Sequence, residues 1–101
     1  MRLISLYRPP PDTAAFDKAY FETHLPLIAR VPGLRRTALT KFTRTIQGDG
    51  YYMMAEMFFS DESALKQAMR SPEMAAAGEN LASFARDLVT LMFAEDATEA
   101  G

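Results

Sequence analysis

The sequence contains no cysteine and no tryptophan, and its one histidine is His24. Without cysteine there is no disulfide, no thiolate zinc site and no thiol nucleophile. No apolar run approaches the roughly 18 residues that a membrane-spanning helix needs. The start, Met1-Arg2-Leu3-Ile4-Ser5-Leu6-Tyr7, is briefly apolar, but Arg8 and Pro9-Pro10-Pro11 arrive too soon for a signal peptide, so a cytoplasmic location is expected. Excess positive charge is missing too. A net charge of −2 leaves little to attract nucleic acid or an anionic membrane, and neither is an expected partner. The local basic set Arg35, Arg36, Lys41 and Arg44 reads as a solvated, edge-protecting group on a strand. Also lacking are a two-histidine metal spacing, a glycine-rich phosphate loop, a GxSxG elbow and a dinucleotide fingerprint, so neither a metal nor a nucleotide cofactor is expected.

What remains is an ordinary globular composition. The 101 residues, 49% hydrophobic and 24% charged, suit one domain with a single core. Residues 1–95 are expected to form that domain, with 96–101 a polar, frayed tail.

Patterning predicts the elements. Arg2 to Arg8 reads as a strand stopped by prolines. A helix capped by Asp12 or Thr13 should carry Phe16, Tyr20 and His24 on one face, with Pro26 kinking or breaking it directly after His24 and Pro32-Gly33 ending it. Leu34 to Ile46 and Tyr51 to Phe59 read as strands joined by a tight reversal at Gln47-Gly48-Asp49-Gly50. Ser60 is the expected cap of the next helix, and Ser71-Pro72 the start of a second. Leu88 to Phe93 closes the set as a strand. This order is the βαββαβ arrangement of an α+β, ferredoxin-like domain: a four-stranded antiparallel sheet with helices on one face. Its strands are apolar on both faces where a sheet open to water should alternate. A second copy of the chain packed sheet to sheet, forming a homodimer, is the expected cover.

His24 is the one side chain whose ordinary pKa, about 6.5, suits acid–base chemistry near neutrality. Tyr20 lies one helical turn before it, so phenol and imidazole share a face and could position an enol or carbonyl and move its proton. A buried structural histidine is the competing reading. Tyr7, Phe16, Met53, Glu56 and Met92 are the candidate lining of a pocket for a small apolar ligand beside that pair. Glu56, alone among Met and Phe on its strand, could orient His24 or pair with an arginine across a dimer. The methionines suit either a core or a loosely accepting pocket. An RNA-recognition reading fails on the third strand, where Asp49-Gly50-Tyr51-Tyr52-Met53 has the wrong charge and sizes. A haem ligated by His24 gains no support from a second histidine or a tryptophan.

Tyr20-Phe21-Glu22-Thr23-His24-Leu25-Pro26-Leu27, followed by Val31-Pro32-Gly33-Leu34 and preceded by Tyr7-Arg8-Pro9, resembles the EthD-like family of dimeric α+β barrel proteins. The family takes its name from ethyl tert-butyl ether degradation. The resemblance implies a ferredoxin-like subunit, a barrel of two packed sheets, and a pocket between sheet and helices. It further implies a role in a degradation or secondary-metabolite pathway. In related isomerases, dehydratases and cyclases a histidine at the His24 position acts as acid or base, and Tyr20 matches the lactone-isomerase pattern. The chain departs from those isomerases in lacking their second histidine and cysteine. The two functions implied are a cofactor-free enzyme or accessory acting on a small apolar oxygenated molecule, and a non-catalytic carrier of one.

Overall fold

The computed structural model of the chain describes residues 1–97, so most of the segment expected to be a frayed tail lies outside the described residues. The chain runs β1 (Arg2–Tyr7), α1 (Thr13–Ala19), a π-helical turn (Tyr20–His24), α2 (Leu25–Ile28), β2 (Arg36–Lys41), β3 (Met53–Phe58), α3 (Glu62–Met69), α4 (Pro72–Ala85) and β4 (Val89–Ala94). The strands form one sheet in the order β2-β3-β1-β4, with every neighbouring pair antiparallel. This is the ferredoxin-like α+β fold that the alternation of elements predicts.

The sheet's pleat decides which residues meet the helices. Along β1 the residues Leu3, Ser5 and Tyr7 are buried, and their β3 partners Met57, Ala55 and Met53 are buried with them. The helices cover this face with Phe16, Tyr20, His24, Ile28, Leu65, Ala68, Ala77, Leu81 and Ala85. Two apolar clusters result. One gathers Leu3, Ile28, Met57, Phe59 and Leu65, the other Tyr7, Phe16, Tyr20, Met53 and Leu81. Burying one large aliphatic or aromatic side chain contributes about 1.5–3 kcal/mol, so these clusters dominate what holds the helices down.

Helix starts follow local chemistry, with one correction. Asp12 and Ser71 cap α1 and α4 by accepting from the backbone N–H of Ala15 and Met74. The cap of α3 is Asp61, accepting from Ala64 N, and not the expected Ser60. Ser60 Oγ instead accepts from the Arg35 guanidinium at 3.1 Å.

The connection between β2 and β3 also departs from expectation. Leu34 to Ile46 alternates like a strand, yet pairing stops at Lys41, and β3 begins only at Met53. Residues 42–52 form an open loop in place of a tight reversal, closed at its base by Phe42 N–H donating to Tyr52 O at 3.1 Å. Its left-handed residue is Gly48, at φ +88°, rather than Gly50 in the expected Asp-Gly turn. With no third strand or helix to pack on, Ile46 is 91% exposed. Strand propensity here has nothing to bury against, and propensity alone does not hold a ladder.

Among the described residues no helix covers the opposite face of the sheet. Ile4 and Leu6 of β1, Met54 and Phe58 of β3 and Met92 of β4 share it, with Arg2, Glu56 and Arg36 among them. The Arg2 guanidinium meets Glu56 Oε2 at 3.0 Å as an ion pair outside hydrogen-bond geometry, and the Arg36 guanidinium lies 3.8 Å over the Phe58 ring.

Candidate functional site

The segment that carries Tyr20 and His24 is shaped by Pro26. Lacking an N–H, Pro26 leaves the Glu22 carbonyl without its helical donor. The expected break directly after His24 does not occur: the helix continues through Leu25–Ile28, and the irregularity lies before the proline as a widened π turn over Tyr20–His24, in which the N–H of Leu25 reaches back to Tyr20 O. Such π turns recur at functional sites because they redirect side chains without ending the helix. Here Tyr20 and His24 are both buried, at 2% and 3% exposure, in a turn whose other three residues face solvent.

Tyr20 sits in an aromatic nest. Its ring centroid lies 5.6 Å from that of Tyr7, 5.9 Å from that of Phe16 and 5.2 Å from the His24 imidazole. The Phe84 ring of α4 lies 6.0 Å from the imidazole, edge to face. The Tyr7 hydroxyl is buried with the Ser5 and Tyr20 hydroxyls as neighbours, and has no partner in hydrogen-bond geometry among the described residues. Burial pushes the Tyr7 phenol up to about 12, and burial beside Tyr7 pushes Tyr20 further still. Both stay protonated at any physiological pH. They act as dipoles and donors, never as bases.

Among the described residues His24 has one polar contact, with Nδ1 3.1 Å from Asn80 Oδ1 on α4. An amide oxygen only accepts, so this contact puts the proton on Nδ1 and leaves Nε2 with its lone pair. Burial lowers the imidazole pKa, and the Asn80 hydrogen bond opposes that shift without cancelling it. At neutral pH His24 is therefore an uncharged base.

A cavity of about 230 Å³ opens beside it, between α4 and the β1–β4 side of the sheet. Its floor is Leu3, Ser5, His24, Ile28, Met57, Ala77 and Leu81, all buried, and its rim is formed by exposed Met69, Ala75, Gly78 and Leu91 together with Met74. His24 and Ser5 are its two polar side chains. Gly78 borders the opening, and a Cβ added there would meet no atom within 4 Å. Among the described residues, no three His, Asp or Glu side chains come together in a way that could hold a metal ion.

The expected site residues are therefore divided among three environments. His24 forms part of the cavity wall, while Tyr20 stands behind it and touches its ring. Tyr7, Phe16 and Met53 belong to the apolar cluster around Tyr20 and not to the cavity wall. Glu56 and Met92 lie on the opposite face of the sheet, because Glu56 pairs across the ladder with Ile4, and Met92 does so on the other side. Glu56 cannot orient His24 through the sheet; its partner is Arg2. Conversely, Ser5, Asn80, Gly78 and the methionines Met69 and Met74 were not singled out from the sequence. Ser5 had a signal, as a hydroxyl between Leu3 and Tyr7 on the helix-facing side of β1. Asn80 had a fainter one, lying three residues from Ala77 and one from Leu81 on the flank of the buried stripe of α4.

A helix-covered, antiparallel ferredoxin-like sheet with a buried histidine at its cavity defines the class. The EthD domain matches residues 8–87, and the chain belongs to that family. A protein from Rhodococcus erythropolis known as the uncharacterized 11.0 kDa protein in the thcB-thcC intergenic region is 33% identical over 99 residues, covering 96% of this chain and 95% of that one. The crystal structure of an ethyl tert-butyl ether degradation (EthD) family protein from Bacillus halodurans superposes with a TM-score of 0.89 at 43% identity, covering 94% of this chain and 96% of that one. More distant structures share the fold. Among them is a cofactor-independent oxygenase from Streptomyces nogalater, with a TM-score of 0.59 at 21% identity over 96% of this chain and 93% of that one. Neighbours from Jannaschia and Bacteroides fragilis are dimeric ferredoxin-like proteins.

Proposed function

We propose that this EthD-family protein is a cofactor-free acid–base enzyme, or the accessory of one, acting on a small apolar oxygenated molecule in the cavity beside His24. The observation that carries the reading is an uncharged imidazole on the floor of an apolar cavity, fixed through Nδ1 by Asn80. Nε2 takes a proton from the substrate, and the imidazolium so formed keeps its Nδ1–H donated to Asn80 Oδ1. Returning the proton to another atom of the same molecule gives an isomerisation, and returning it to a leaving hydroxyl gives a dehydration. Ser5 supplies a hydroxyl for the substrate's oxygen, while Tyr20 packs the ring in place.

The apolar sheet face is covered by a second copy of the chain. Ile4, Leu6, Met54 and Phe58 supply the contact, and the Arg2–Glu56 pair becomes internal to it. The dimeric neighbours of this fold support that arrangement.

A carrier is the second reading, favoured by a wall with only two polar side chains. Deuterium uptake from solvent into phenols, lactones and enolisable ketones separates the two. For an enzyme, His24→Gln lowers the exchange rate by about 10²-fold or more, the usual worth of a positioned general base, with ligand affinity changed less than about threefold. Binding without any exchange in the wild-type protein would leave the carrier.

A further inference from the structure

We infer that Asn80 is a positioning residue that locks His24 into its Nδ1–H tautomer, and that the cavity therefore selects a ligand that brings a hydroxyl proton of its own, a phenol or an enol, over the ether of the same shape. The inference rests on the cavity beside His24 being the functional site, and it goes further by assigning the chemistry of the ligand.

Asn80 Oδ1 lies 3.1 Å from His24 Nδ1 and is the one hydrogen-bond partner of the ring among the described residues. Oδ1 has no proton to give, so Nδ1 must donate. Nε2 is then an acceptor without a partner among the described residues and not sealed from solvent, on a side chain that lines a floor otherwise apolar apart from Ser5. Covering that nitrogen with a ligand that cannot donate would bury an acceptor without a partner, which sites built around a polar group penalise heavily. Ser5 does not reverse the preference, because a hydroxyl turns to donate or accept as the ligand requires. An anion is excluded as the resting ligand: among the described residues no lysine or arginine lines the cavity, and an unpaired anion in an apolar void is far costlier than a neutral hydroxyl. Size narrows the class further. A void on the order of 150 Å³ lined by apolar groups holds benzene, so the 230 Å³ here admits one substituted ring. The mouth is open at Gly78, where an added Cβ would meet no atom within 4 Å.

Placement on α4 makes Asn80 separable from the fold. It is partly buried in the helix interior, where leucine is an equally good or better helix former, so Asn80→Leu removes the acceptor and keeps the helix. Asn80→Asp keeps an acceptor oxygen at the same place and serves as the conservative variant.

Two readouts test the inference. On the free protein, nitrogen NMR of the single histidine distinguishes the tautomers. Wild type and Asn80→Asp are expected to show Nδ1 protonated, and Asn80→Leu a mixture or the Nε2–H form. An Nε2–H wild type, or a tautomer balance unchanged in Asn80→Leu, overturns the role of Asn80. Titration with p-cresol and with its methyl ether then reads the ligand class through the same ring. The phenol is expected to bind the wild type at least tenfold more tightly than the ether, with the ratio falling to about threefold or less in Asn80→Leu. Equal affinities, or binding of neither probe, overturn the ligand class. Because the tautomer is read without ligand, its failure is distinguishable from failure of the cavity as a site, which shows as a locked tautomer that no probe perturbs.

Discussion

His24 is held neutral by burial, and that has a consequence for stability. Its folded pKa lies below the ordinary 6.5 because burial disfavours the imidazolium. In acid the unfolded chain binds a proton that the folded chain resists, so stability rises with pH wherever the two differ. The contribution is complete above about pH 6.5 and is lost as pH falls through the folded pKa. Urea denaturation of the wild type should show a falling midpoint from pH 7.5 to 5.5, and in His24→Phe the part of that slope due to the imidazole should vanish. An unchanged slope in His24→Phe would mean the ring titrates freely in the folded state. Tyr7 and Tyr20 sit at the other extreme: with their phenols raised to 12 and beyond, they contribute nothing to pH dependence in this range.

At the scale of the element, α4 does two jobs that pull against each other. Ala77, Leu81 and Ala85 form the stripe that anchors it to the sheet, while Ala75 and Gly78 keep its neighbouring face low at the cavity mouth. A glycine inside a helix costs about 0.5–1 kcal/mol relative to alanine. Nothing packs against Gly78 to repay that cost, so the gain is space. Gly78→Ala should raise stability by roughly 0.5–1 kcal/mol in chemical denaturation, and Gly78→Leu should weaken binding of ring-sized ligands about tenfold or more while the protein stays folded. If Gly78→Leu binds as the wild type does, the mouth lies elsewhere. The π turn shows the same division of labour, since the proline that interrupts the hydrogen bonding is also what turns Tyr20 and His24 inward together.

For the whole molecule, the decisive feature is the uncovered sheet face. The molecule measures 37 × 35 × 18 Å, and its short dimension is that of one sheet and one helix layer. Light scattering on the 11.3 kDa chain should give about twice the monomer mass at micromolar concentration, and Phe58→Asp combined with Met54→Lys should halve it while far-ultraviolet dichroism is retained. A wild-type monomer at that concentration would remove the proposed homodimer. Arg36 stacked on Phe58 and Arg2 paired with Glu56 keep this apolar face from being uniformly sticky, and in the proposed homodimer they would favour one register over nonspecific association.

Much of this was legible in the sequence because it is local. The strand runs of β1 and β3, the caps Asp12 and Ser71, the proline two residues after His24 and the two-faced apolarity of the strands follow from residue pattern and backbone chemistry, and they sufficed for the ferredoxin-like order. Sequence also singled out His24 as the one group able to titrate near neutrality. What it left open was decided by pairing across distance. Period two says that Glu56 and Met57 face opposite ways, but only the register against β1 and the side chosen by the helices put Met57 in the cavity wall and Glu56 outside it. The run from Thr43 to Ile46 has a strand's pattern and, among the described residues, lacks a neighbour to pair with. Asn80 lies far along the chain from His24, and its carbonyl reaches the imidazole only when α4 docks beside the π turn. A contact between two helices depends on their packing angle and depth, which no single-helix pattern encodes, and so the chemistry of the one histidine is fixed by tertiary structure.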